Sequence, residues 1–143
     1  MLVVRRSGER IVVVLEWNRA AAHALIDFAK LDEADRNIVL IMMTSPDAKR
    51  AFGPTWSREA KRVVAQFRTA YDIFARDPAF EDLVQRLGSN LVFTRWWNEH
   101  DVTASVSGTK TIRRNPRSTT SWVHSSFQSN DDPNLRLVIY APV

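Results

Sequence analysis

The residue types richest in chemistry gather in one short stretch, FTRWWNEHDV, residues 93–102. Phe93, Trp96, Trp97 and His100 recur there at i, i+3, i+4 and i+7, which places all four on one face of a helix. Cores ordinarily take their bulk from aliphatic side chains. A double tryptophan with a histidine one turn on therefore reads in one of two ways, as a ring-lined cavity or as a packed seam with polar handles. His100 is accordingly either a polar contact in that cavity or a structural histidine satisfied by its neighbours. The other two histidines, His23 and His124, stand far away, and none of the three has metal-ligand spacing. Ser121, Ser125 and Ser126 lie near His124, but alternating strand residues are poor grounds for a nucleophile and its base. There is no nucleophile elbow, no phosphate-binding loop and no dinucleotide fingerprint. The expectation is a protein that is not an enzyme; the competing enzymatic reading would use His100 or His124 as a base.

Three further polar residues, Arg68, Arg36 and Asn18, each have a structural and a functional reading. Arg68 lies at the edge of the apolar stripe of a long helix, beside Val64 and Tyr71. It either snorkels to water or turns inward to hold an anion. Arg36 stands just before the apolar run NIVLIMM and, with Asn37, needs partners if that run is buried. Asn18 is either a helix N-cap or a polar group facing a pocket.

The elements that would position these residues follow from turn signals and periodicity. Residues 2–6 and 10–15 flank Ser7-Gly8-Glu9 and read as a β-hairpin. Asn18 opens a helix with an inward stripe of Ala22, Leu25, Ile26 and Ala29. A second helix is expected to begin near Asp32, with Asp32-x-x-Asp35 as a capping pair and a deeply buried body. Ser45-Pro46 restarts a short helix that Gly53-Pro54 ends. The longest helix is expected over 57–76, with Ala60, Val63, Val64, Phe67, Ala70, Tyr71 and Phe74 as its stripe. Asp77-Pro78 starts another helix, and Gly88-Ser89-Asn90 separates it from the aromatic stretch.

Residues 109–114, 119–127 and 135–141 then read as three strands. Trp122 and His124 share one face of the second, Val123 and Phe127 the other, and Leu135, Leu137 and Ile139 face one way in the third. The order predicts an α+β fold. In it a PAS-like five-stranded antiparallel sheet carries a block of helices, inserted between strands 2 and 3, on one face.

Bulk properties fit a single domain over 1–143. The chain has 143 residues, 45% of them hydrophobic and 25% charged, with no cysteine and a net charge of +4. No apolar run is long enough to cross a bilayer and the start lacks the plan of a signal peptide, so a cytoplasmic protein is expected, with no membrane partner. The nearest basic cluster, Lys110, Arg113, Arg114 and Arg117, is explained at least as well by a guarded strand edge as by phosphate binding. A large apolar interior with a few polar margins suits a cavity for an apolar ligand, and equally an ordinary core.

At this point the chain resembles the ligand-binding domain of MmyB-like transcription regulators. The likeness runs through VVVLEWNRAAAHAL (12–25), ADRNIVLIMMTSPDAK (34–49), VVAQFRTAYDIFARDPAFEDLVQRL (63–87), FTRWWNEHDV (93–102), SGTKTIRRNP (107–116) and LRLVIYAP (135–142), six segments in order. Asn115 departs from it, standing where the family usually has His before Pro116. The resemblance implies a PAS-like domain that binds a fatty acid or similar small apolar molecule and otherwise takes no cofactor. It also implies an XRE-class helix-turn-helix domain on the N-terminal side, absent here, through which alone DNA would be contacted, and a homodimer. It gives Arg68 the role of taking a ligand carboxylate. Trp97, Phe93 and Phe67, with Tyr71 beside them, would line the tunnel. Asn18 gains an inward role, and His100 and Arg36 become secondary polar contacts. The alternative to sensing is a ligand-free dimerisation module.

Overall fold

The computed structural model describes residues 1–7, 11–73, 77–99, 108–115 and 118–143. Strand β1 (Leu2–Ser7) pairs antiparallel with β2 (Ile11–Trp17). Six helices follow: α1 (Arg19–Ala24), α2 (Ile38–Thr44), α3 (Pro46–Phe52), α4 (Trp56–Ile73), α5 (Pro78–Leu87) and α6 (Leu91–Asn98). Strands β3 (Gly108–Asn115), β4 (Ser118–Gln128) and β5 (Leu135–Pro142) close the chain. The strands form one five-stranded antiparallel sheet in the order β2-β1-β5-β4-β3. This is the expected α+β plan, with the helices inserted between strands 2 and 3.

The first strand is an inner strand next to the central β5, because it pairs on its far edge with the last, Leu2 against Val138 and Val4 against Arg136. Leu2, Val4, Val14, Ile112 and Val138 point into the helical layer and are all buried. Side chains alternate faces along a strand, so the neighbouring positions face away. Leu135, Leu137 and Ile139 share that outer face, and Ile139, Val123 and Phe127 are exposed there. Arg136, Val138 and Tyr140 are β5 residues on the side of the sheet that faces the helices.

Helix starts follow the capping chemistry. Asn18 accepts from the Ala21 amide at 2.9 Å, and Ser45 and Asp77 cap α3 and α5. Gly53, with φ of 49°, ends α3 in a conformation that favours glycine. Two expectations need correction. First, α1 ends at Ala24, and residues 28–30 form a separate 3-10 turn, so Ala29 is exposed rather than part of an inward stripe. Second, α2 does not start at Asp32. Residues 33–35 make a 3-10 turn in which Asp32 forms no side-chain cap. The cap is Asn37, whose Oδ1 accepts from Val39 and Leu40 at 2.9 and 3.1 Å. A side chain accepting two otherwise orphaned buried amides outweighs a capping pair left in the solvent. The body of α2 is buried from Val39 to Met43, as its all-apolar sequence requires.

The long helix α4 buries Ala60, Val64, Phe67 and Ala70 on the stripe the spacing predicts. Its expected last turn, including Phe74, lies outside the described residues. Trp56 ties its start to α2 by donating from Nε1 to the Met42 carbonyl at 2.9 Å.

Candidate ligand-binding site

Two apolar regions compete for the role of binding site. The first is the aromatic face foreseen from the sequence. Phe67 and Tyr71 of α4, Phe80 of α5 and Phe93 and Trp97 of α6 meet in one cluster. Phe67 stacks on Phe80 at 5.5 Å, Phe93 on Trp97 at 5.5 Å, and Trp97 meets Phe67 at 5.4 Å and Tyr71 edge-on at 5.1 Å. These separations are those of rings in direct contact. The neighbouring Trp96 turns the other way, toward Trp56.

Arg68 lies across this cluster. Its guanidinium carbon stands 4.5 Å from the Trp97 ring centroid and 5.9 Å from that of Tyr71. Its Nε approaches the Asp72 carboxylate at 3.1 Å, and an Nη donates to the Trp97 carbonyl at 3.5 Å. The side chain is only 15% exposed, so it turns inward rather than snorkelling, and the anion beside it is Asp72. Arg36 is placed elsewhere. Its Nε donates to the Phe28 and Leu31 carbonyls at 3.2 Å each, and its guanidinium covers the Trp17 ring at 5.1 Å. Asn18 is the α1 cap and accepts from the Met1 ammonium as well. His100 lies outside the described residues, as do the side chains of the basic cluster from Lys110 to Arg117. Five of the expected residues thus come together, Phe67, Arg68, Tyr71, Phe93 and Trp97, while Asn18 and Arg36 do not join them.

The second region lies between the sheet, the segment after α1, and helices α2, α3 and α4. Here the side chains leave a cavity of about 60 Å³. Leu2 and Tyr140 form its sheet side, Ile41 and Met42 come from α2, Phe52 from α3, and Leu25 from the segment after α1. None of the described candidate site residues lines it. Two polar side chains do, Glu59 and Tyr140. Glu59 is 3% exposed. Arg58 reaches one of its oxygens from Nε at 3.2 Å and Arg62 the other from Nη1 at 3.4 Å. Burial, and then the field of Glu59, push the Tyr140 phenol from 10.0 up to about 12, so it keeps its proton.

Glu59 had a legible signal. It stands four residues before Val63 and eight before Phe67, on the buried stripe of α4, and a carboxylate there must be served by partners. Tyr140 was hidden because the apolar set Leu135, Leu137 and Ile139 draws attention to the opposite face of β5.

The cavity has neighbours. A pocket of about 30 Å³ shares Leu25 and Tyr140 with it and is lined also by Ala20, Ala24, Ile112 and Trp122. Those last four also line a wider groove of about 510 Å³ with Arg19 and His23. Small alanines on α1 leave room under the helix, and Leu25 and Tyr140 lie between the cavity and the small pocket as walls of both. Among the described residues no group of His, Cys, Asp or Glu could hold a metal, and no helix is long and apolar enough to cross a membrane.

A helix-backed antiparallel sheet around an apolar cavity with a few polar groups is the architecture of a small-molecule-binding domain. The chain belongs to the MmyB-like transcription regulator ligand binding domain family, whose match spans residues 9–143. It is thus a ligand-sensing domain of the transcription-regulator type. No curated protein matches it. Strand β1 precedes the matched segment, although it joins β2 to β5 and gives Leu2 to the cavity.

Proposed function

We propose that the domain senses a small apolar molecule, a fatty acid or one of similar shape, held in the cavity between the sheet, the segment after α1 and helices α2–α4. The observation that carries this reading is a cavity whose described lining is apolar except for Glu59 and Tyr140. At about 60 Å³ it is smaller than the ~150 Å³ void that accepts benzene in an engineered core. Binding therefore requires the walls to part, and the flexible Met42 is a lining side chain able to move. A ligand that favours the parted state shifts the population toward it. A coupling of ~1–3 kcal/mol is enough to alter how an attached DNA-binding domain engages its site. A homodimer belongs to the same reading, since helix-turn-helix regulators meet two half-sites; the solution mass of the domain tests that part.

The same small volume favours a second reading, a packed module that needs no ligand. A third position for a ligand, with its carboxylate on Arg68, would share the guanidinium with Asp72. One experiment separates the three. The purified domain is denatured and its organic extract analysed by mass spectrometry, and the native domain is titrated with decanoate and decanol while its melting temperature is followed. A stoichiometric co-purified molecule, or saturable stabilisation that Arg68→Ala leaves intact, supports the cavity. Stabilisation abolished by Arg68→Ala moves the site to the aromatic face. No released molecule and no stabilisation leave the packed module standing.

A further inference from the structure

The helices pack on one face of the sheet. On the other face β4 presents Val123, Ser125 and Phe127, and β5 presents Leu135, Leu137 and Ile139. Phe127 lies opposite Leu137 in register and Ser125 opposite Ile139, so these side chains form one continuous patch. Phe127, Val123 and Ile139 are 55%, 44% and 39% exposed. The other described large apolar residues that stand exposed are the chain ends Met1 and Val143 and the solitary Leu91 of α6. No charged residue takes an outward position on β4 or β5. Charges enter at the β1–β2 side, where Arg5 pairs in register with Leu135 and Glu16 with Val3. An uncharged, apolar centre with a charged margin is the anatomy of a protein–protein interface.

We propose that this face joins two copies of the chain, sheet against sheet, about a two-fold axis passing near Ser125 and Ile139. A two-fold contact sets a surface against itself, so a charge at its centre would meet its own kind. Copies that each carry a net charge of +4 repel, and a charge-free centre is where they can still close on one another. The size agrees. At ~3.3 Å per residue and ~4.8 Å between strands, the five strands span a plane of roughly 600 Å² before the relief of the side chains is counted. A standard interface takes about 800 Å² from each partner. Sheets packed face to face through such side chains are the plan of a β-sandwich. The inference rests on the homodimer part of the proposed reading and assigns its surface; it does not depend on what the cavity holds.

Sedimentation equilibrium of the 143-residue protein at micromolar concentration gives twice the mass of one chain. Phe127→Glu puts two charges into the shared face, one from each copy, and raises the dissociation constant about a hundredfold or more. Leu91→Glu, at an exposed apolar site on α6, leaves it unchanged. The chain has no cysteine, so Ser125→Cys and Leu91→Cys each carry a single thiol. A short bis-maleimide joins copies of Ser125→Cys far faster than copies of Leu91→Cys. A dimer that Phe127→Glu leaves intact, or linking no faster at residue 125 than at residue 91, overturns the surface while the homodimer stands. A monomer at every concentration overturns both and leaves the face to a different protein; the fatty-acid titration still decides the cavity. Should Phe127→Glu not fold, the linking rates decide.

Discussion

Between α4, α5 and α6, Phe67, Phe80, Phe93 and Trp97 pack with ring centroids 5.4–5.5 Å apart. Between α2, α3, α4 and the sheet, mostly aliphatic side chains leave about 60 Å³ unfilled. Of the two readings the aromatic stretch left open, a ring-lined cavity or a packed seam, the ring contacts match the packed seam. Flat rings stack and fill space efficiently when three helices bring them together. Branched and short side chains on a twisted sheet and two short helices meet less completely, and Ala48 and Ala51 leave gaps that longer residues would close. The ring cluster is thus the rigid side of the core, and the aliphatic region is the side able to give way.

Substitutions can break or sharpen this contrast. The largest effect is expected in the ring cluster. Phe80 is fully buried between Phe67 and Tyr71, and Phe80→Ala should cost about 3–5 kcal/mol. Denaturant unfolding reads the loss; a cost below ~1 kcal/mol would show that the cluster is not tightly packed.

The cavity side should reveal itself in alkali. The Tyr140 phenol is raised from 10.0 to about 12 in the folded protein. Below pH 10.0 it is neutral in both states and its contribution is complete; as pH rises toward about 12 the unfolded chain ionises first and the contribution is lost. The span corresponds to about 2–3 kcal/mol. Unfolding measured at successive alkaline pH values should show this slope, and Tyr140→Phe should flatten it.

The third effect concerns Asn37, the buried cap that aims α2 at the cavity. Asn37→Ala should cost about 1–2 kcal/mol, and Asn18→Ala, at an exposed cap, less. The ratio is read from paired thermal melts, and equal losses would contradict the assignment of the buried cap. Smallest is a gain. Val63 of α4 lines the cavity, and Val63→Ile adds one methylene worth up to ~0.8 kcal/mol. The same change should reduce the stabilisation given by a bound probe. A destabilised variant would mean that the space beside Val63 is already filled.

Much of the frame was legible in the sequence because it is written locally. The caps at Asn18, Ser45 and Asp77, the all-apolar body of α2, the stripe of α4 and the strands all follow from neighbouring residues. The sheet's central pairing of β1 with β5 was not legible, since it joins the two ends of the chain and leaves no local trace. The start of α2 was misplaced because Asp32 has the look of a cap, whereas the buried Asn37, read only as a polar residue needing partners, is the one used. The cavity proposed as the site was the least legible part. Aromatic side chains advertise themselves in a sequence, whereas a gap arises from side chains that are absent or too short. Glu59, a charge on a buried helical stripe, was the one written clue to it.

The most direct test is methyl nuclear magnetic resonance of the domain titrated with decanol. The methyl groups of Ile38, Ile41 and Leu25 should shift and show contacts to the probe, while the Trp97 indole stays close to its position in the free protein. The largest changes falling instead on Trp97 and its ring neighbours, with Ile38 and Ile41 unmoved, would place the ligand on the aromatic face and contradict the account.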